Sequence, residues 1–157
     1  MNRLLADGAL FVAAGLVAVS FLAGSGCESS TDEAQPGSGS ATSPVVKGDA
    51  VLALAFEKHA NDLQVEGQGT VARILADDTE GGKHQRFVVR LASGQTLLVA
   101  HNIDVAPRVE DLREGDAVAF RGVYEWNEEG GTIHWTHRDP NGAHAPGWIL
   151  HGGRTYQ

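Results

Sequence analysis

Four of the seven histidines fall within the run HWTHRDPNGAHAPGWILHGG, which begins at His134 and also holds Asp139. Neutral imidazole and carboxylate suit zinc, copper and nickel, so this density is a metal-binding signal. Spacing decides which side chains could share an ion. On a strand, His134 and His137 point to opposite faces because three is odd, whereas His137 and Asp139 share a face. Pro140 ends the strand. The candidate ligand set is therefore His101, His137, Asp139 and His144, and the implied cofactor is a divalent transition metal. The competing reading makes His101 and His137 hydrogen-bonded histidines at the end of the core, with Asp139 opening a DPNG turn.

A second kind of chemistry is recognition. Trp126, Trp135 and Trp148 allow an aromatic patch, with Arg86, Arg90 and Arg138 as polar companions. Asn102 follows His101 at a predicted strand end. The candidate binding residues are Arg86, His101, Asn102, Trp135, His137 and Asp139. Structural alternatives stand beside these: Trp135 as a core or rim residue, Arg86 and Arg90 as solvent-facing strand charges. No serine has a credible base and orienter, so nothing reads as a nucleophilic triad. Glu125, Glu128 and Glu129 crowd a hairpin tip and read as a solvated turn rather than a catalytic pair.

These residues need elements to position them. Residues 49–61 (DAVLALAFEKHAN) predict one amphipathic helix capped by Asp49, with Leu52, Phe56 and Leu63 as its buried stripe and His59 solvated near its end. Beyond Asp62 the hydrophobic period becomes two. A first strand over 64–75 contains Gly67 and Gly69, which predicts a bend or bulge. Residues 84–91 alternate, with Phe87, Val89 and Leu91 on one face, and 95–103 place Leu97, Val99, His101 and Ile103 together. A short helical stretch near 109–112 and a strand over 116–126 follow. With a turn at 127–130, Tyr124 faces Ile133, Gly122 faces Trp135, and Phe120 faces His137. A slip of one residue would expose that whole face.

Five strands, the first long and bent, predict a mainly β protein: a small five-stranded OB-like barrel with one N-terminal amphipathic helix. An open five-stranded sheet backed by one helix is the competing architecture.

The chain has 157 residues and a net charge of −8. Its length excludes a TIM barrel of roughly 250 residues, and its single cysteine excludes an intrachain disulfide framework or a CxxC site. The acidity argues against nucleic acid as a partner, because Lys and Arg neutralise phosphates. At the N-terminus, Arg3, an apolar run over 9–23 and then small residues make a secretory pattern. The lone cysteine, Cys27, follows directly after Gly24, Ser25 and Gly26. This resembles a bacterial lipoprotein box, with Gly24 where Leu is usual, and implies lipidation at Cys27 and a membrane partner. A plainly cleaved signal and an uncleaved anchor helix are the alternatives. In the lipoproteins it resembles, Asp after the cysteine marks inner-membrane retention. Glu28 stands there, implying an exported, outer-membrane chain facing the periplasm. Residues 28–47 are rich in Ser, Gly, Pro and acids and cannot bury enough apolar surface to offset ordering. The expected organisation is a signal segment at 1–26, a flexible tether at 27–48 and the barrel at 49–157.

The stretches HQRFVVRLASGQTLLVAHNIDVAPR, GVYEWNEEGGTIHWTHRDP and GWILHGG-x-TY resemble the domain-of-unknown-function 3465 family of small bacterial exported proteins, over roughly 63–157. The resemblance implies an exported β-rich domain and no particular activity. GTVARILADDTEGG followed by LLVAHNIDVAPR is more distantly similar to staphylococcal-nuclease-like OB domains. That similarity sets Asp77 and Asp78 against calcium carboxylates, and Arg86 or Arg108 against phosphate-contacting arginines. ADDTEGG stands in place of DGDT, however, and Arg108 in place of a Glu. The leading expectation is a lipid-anchored envelope binding or accessory module without turnover, whose partner is an envelope protein or a small polar ligand. The alternative is a metal-dependent hydrolase of phosphodiesters, with its ion on the C-terminal His/Asp group.

Overall fold

The computed structural model describes residues 46–157; the expected signal segment, Cys27 and most of the expected tether lie outside the described residues. The described chain opens with β1 (Val46–Lys47), two residues that fall within the expected tether, and α1 (Asp49–Glu57) follows. Next come β2 (Leu63–Ile74), β3 (His84–Arg90), β4 (Thr96–Asn102), β5 (Ala117–Glu125) and β6 (Thr132–His134). A hairpin of β7 (Trp148–His151) and β8 (Arg154–Tyr156) ends the chain.

β2, β3, β4, β6 and β5 pair in that order, and β5 returns to β2, so five strands close a barrel. The closing ladder runs from Leu63↔Tyr124 to Thr70↔Ala117 and rules out the open sheet. β4 and β6 are parallel; the other four pairings of the ring are antiparallel. This is the expected OB-like barrel. Closure depends on β2 serving two partners, β5 along its first half and β3 along its second. The bulge lies between Val71 and Arg73, just beyond the glycines. Gly67 instead makes room for a ring. A Cβ there would lie 2.6 Å from Phe120 Cζ, so only glycine lets the phenyl group cross the strand.

Alternation puts Phe87, Val89, Leu97, Val99, Phe120 and Ile133 in the core, as period two requires. Three expectations need correcting. The helix stops at Glu57, and its N-cap is Gly48, because the Asp49 carboxylate accepts from the Ser93 backbone N–H instead. Leu52 and Ala55 are its buried residues, while Phe56 is half-buried and stacks against Trp126. No helix forms at 109–112. The buried Gln85 amide accepts from Val109 N–H at 2.8 Å and donates to Val109 C=O at 3.1 Å, so this backbone pairs with a side chain rather than with a helical turn.

The third correction concerns the last hairpin. Its register holds at Tyr124↔Ile133 and stops after Val123↔His134. Trp135 adopts a left-handed backbone, with φ 54°, and turns its indole outward. Thr136 takes the inward position. Gly122 therefore faces backbone and the Thr136 methyl rather than the indole, and Phe120 pairs with Ile149 of β7 rather than with His137. The β7–β8 hairpin lies outside the five expected strands, although its two-residue Gly152–Gly153 turn has both φ values positive, as a type I′ turn demands.

Candidate functional site

Beyond β6 the chain leaves the barrel in a loop closed by Gly147 N–H donating to His137 C=O at 2.8 Å. Gly147 fits because a side chain there would strike the backbone of Trp135, Arg121 and Thr136. Asp139 organises the loop interior. Its carboxylate accepts from Asn141 N–H at 2.8 Å, from His144 N–H at 3.1 Å and from Ala143 N–H. The Asn141 hydrogen bond leads the causes that hold the Asp139 carboxyl below its usual range, reinforced by those from Ala143 and His144.

The loop brings Trp135, His137 and His144 together. The His137 and His144 rings meet edge to face with centroids 5.0 Å apart, and Trp135 lies 4.4 Å from His144 and 5.9 Å from His137. They line a cleft of about 510 Å³ with Asn102, Arg138 and Asp139 among its other walls. Each histidine is fixed by its own backbone. His137 Nδ1 donates to Arg138 C=O at 2.7 Å and His144 Nδ1 to Ala145 C=O at 2.8 Å. A carbonyl only accepts, so in the neutral rings both protons sit on Nδ1 and both Nε2 atoms carry a lone pair. Among the described residues neither Nε2 has a hydrogen-bond partner, and that of His144 is buried. Arg138 is exposed at the edge of the cleft. With the Gln157 amide oxygen facing the guanidinium, it accepts from Nε at 3.2 Å and Nη2 at 2.6 Å.

The predicted ligands thus separate. His101 lies inside the barrel, 0% exposed, with both ring nitrogens engaged. Nε2 donates to Pro107 C=O at 3.0 Å, which leaves Nδ1 to accept from the Thr136 hydroxyl at 2.8 Å. Burial lowers its pKa, outweighing the Pro107 carbonyl that favours the charged ring. Asp139 is committed to its loop, and among the described residues no three His, Cys, Asp or Glu side chains converge as a metal cage. His134, its ring 5.9 Å from that of Trp135, is half-buried with Nε2 3.7 Å from Glu125. Asn102 lines the cleft while its Oδ1 accepts from Asp104 N–H. Arg86 lies elsewhere, donating to Ala76 C=O at 3.1 Å beside Asp78. Sequence reasoning missed Thr136 and Gln157, whose roles are long-range hydrogen bonds that no local spacing announces.

The nuclease-like positions are closed in another way. Arg108 grips Asp77 with two hydrogen bonds of 2.6 and 3.0 Å, and this pairing lowers the Asp77 pKa. Arg86 stands 3.7 Å from Asp78. Both carboxylates already face cations of the chain itself, unlike the open pair that a hydrolytic calcium needs.

Fold and cleft together define a small closed β-barrel domain, OB-like in its ring, with a tryptophan–histidine cleft on the loop that leaves the sixth strand. The chain belongs to the DUF3465 family, described as proteins of unknown function, whose family model matches residues 37–157. No curated protein matches it.

Proposed function

We propose that the chain is a lipid-anchored cell-envelope binding module that presents the Trp135–His137–His144 cleft to a small polar ligand and does not turn it over. The anchor would be Cys27, supported by the basic start, the apolar run and the small residues before it. The observation that carries the binding reading is Trp135. A bulky residue in a left-handed conformation is strained, and such strain concentrates at functional sites. Here it holds an indole 44% exposed over two histidines with uncommitted nitrogens. The hydrolase reading has less support, because Asp139 is occupied by backbone donors and Asp77 and Asp78 face arginines.

Tryptophan emission of the full chain, titrated with oligosaccharides, free amino acids and small anions, tests the reading. Saturable binding of one class, lost in Trp135→Ala, supports it. Binding that is indifferent to Trp135 places the ligand elsewhere and contradicts it.

A further inference from the structure

We propose that Nε2 of His137 and Nε2 of His144 together hold one transition cation, Zn²⁺ or Cu²⁺, beneath the Trp135 indole. This deepens the cleft reading and rests on it.

Three features point the same way. The first is tautomer. Metal-ligating histidines nearly always donate the other ring N–H to a carbonyl or carboxylate, which fixes the ring and makes the ligating nitrogen more basic. Both rings do this, each to the carbonyl one residue on. The second is spacing. Two imidazoles bound through Nε2 at about 2.0–2.1 Å, with a tetrahedral angle between them, have ring centroids about 5 Å apart. The two rings here lie 5.0 Å apart and nearly perpendicular. The third is the buried Nε2 of His144, which has no hydrogen-bond partner among the described residues. A buried polar atom left without a partner is unfavourable, and a bound cation would satisfy it.

Donor type selects the ion. Two neutral nitrogens with no carboxylate suit Cu²⁺ and Zn²⁺ and give little to Ca²⁺ or Mg²⁺, which require oxygen. Two protein ligands, one fewer than catalytic zinc sites keep, leave the remaining positions to water or to an exogenous donor. Trp135 adds a π face that attracts a cation. His101 is outside this set, because its only lone pair is held by the Thr136 hydroxyl.

The test uses the full chain, purified in detergent without a histidine tag and dialysed against Zn²⁺ or Cu²⁺ alone. One equivalent of metal should remain, and Cu²⁺ should quench tryptophan emission. His144→Gln should lower the affinity at least tenfold, and the His137→Gln/His144→Gln pair should retain none. Trp135→Phe should keep the stoichiometry and lose most of the quenching. His151→Gln, at a histidine held by Asp116, should change neither. His137 is only 5% exposed, so its replacement is read only in protein with the wild-type circular dichroism spectrum. His144 is half-buried, and its single substitution carries the test if the His137 variant does not fold. Wild-type protein that retains no metal, or His144→Gln that binds it as wild type does, overturns the proposal. If a polar organic ligand still binds through Trp135 in that case, the cleft reading stands without the metal. If neither binds, both fall.

Discussion

His101 ties three segments together: its own strand, the Pro107 carbonyl in the β4–β5 connection, and Thr136 at the root of the cleft loop. His101→Leu removes both hydrogen bonds and leaves a buried hydroxyl and a carbonyl without partners. The orphaned hydroxyl costs about 1–3 kcal/mol, while the carbonyl of the exposed Pro107 can turn to water, and urea unfolding should show a loss within that range. The substitution should also change the response to acid. Burial lowers the folded pKa of His101, so below about pH 6.5, the usual histidine value, the unfolded chain binds the proton first. Stability is then full above that pH and falls as pH drops toward the folded value. His134, also lowered by burial, acts with the same sign. Melting temperature should therefore decline from pH 7 to 5 in the wild type and less steeply in His101→Leu. At Trp135 the expectation is the reverse of an ordinary tryptophan loss. Asn tolerates the left-handed conformation, so Trp135→Asn should shift stability by less than about 1 kcal/mol while removing the indole from the cleft. Thermal melts decide it.

The loop between His137 and Gly147 is the element on which the site depends, and Asp139 is its positioning residue. Asp139→Ala should speed amide exchange at Asn141, Ala143 and His144 and leave the core amides of β3 and β4 unchanged. Equal acceleration in both places would mean that the loop and barrel open as one unit. At this scale the sequence is legible where period two runs uninterrupted. β3 and β4 lie within a residue or two of their expected ends, because alternating apolar residues leave one register that buries them. The last hairpin is legible only to His134. A single backbone rotation at Trp135 reverses which side of the ribbon faces the core, and nothing in residue type announces a left-handed tryptophan. The same rotation frees His137 from the ladder and allows it to meet His144. The Gly152–Gly153 turn, by contrast, is readable: two glycines between WILH and RTY are a two-residue hairpin signal.

At the scale of the whole molecule, one closed ring carries Trp135, His137 and His144 on a connection rather than on its strands. The β3–β4 face, the usual platform for stacked bases in OB domains, presents Arg86, Val88, Arg90, Leu98 and Ala100 along its middle, with His84 at one end as its single aromatic ring. The proposed anchor rests on the sequence alone. If Cys27 is acylated, Cys27→Ser should move the chain from the membrane fraction to the soluble fraction and abolish labelling by an alkynyl fatty acid. Unchanged fractionation would favour an uncleaved helix as the anchor. The metal cluster expected from sequence pooled four residues that the fold distributes among a core pin, a loop organiser and a cleft pair. Histidine density is visible in the sequence; its division depends on tautomers and closures set across the barrel.

The cleft nitrogens of His137 and His144 are, on this reading, the binding groups of the protein. Long-range ¹H–¹⁵N spectra of the imidazole rings, recorded on the full chain in detergent during a Zn²⁺ titration, test it most directly. The Nε2 resonances of these two histidines should move together and saturate at one equivalent, while those of His101 and His151 stay fixed. Shifts confined to His59 or His84, or no saturable shift at His137 and His144, would contradict it.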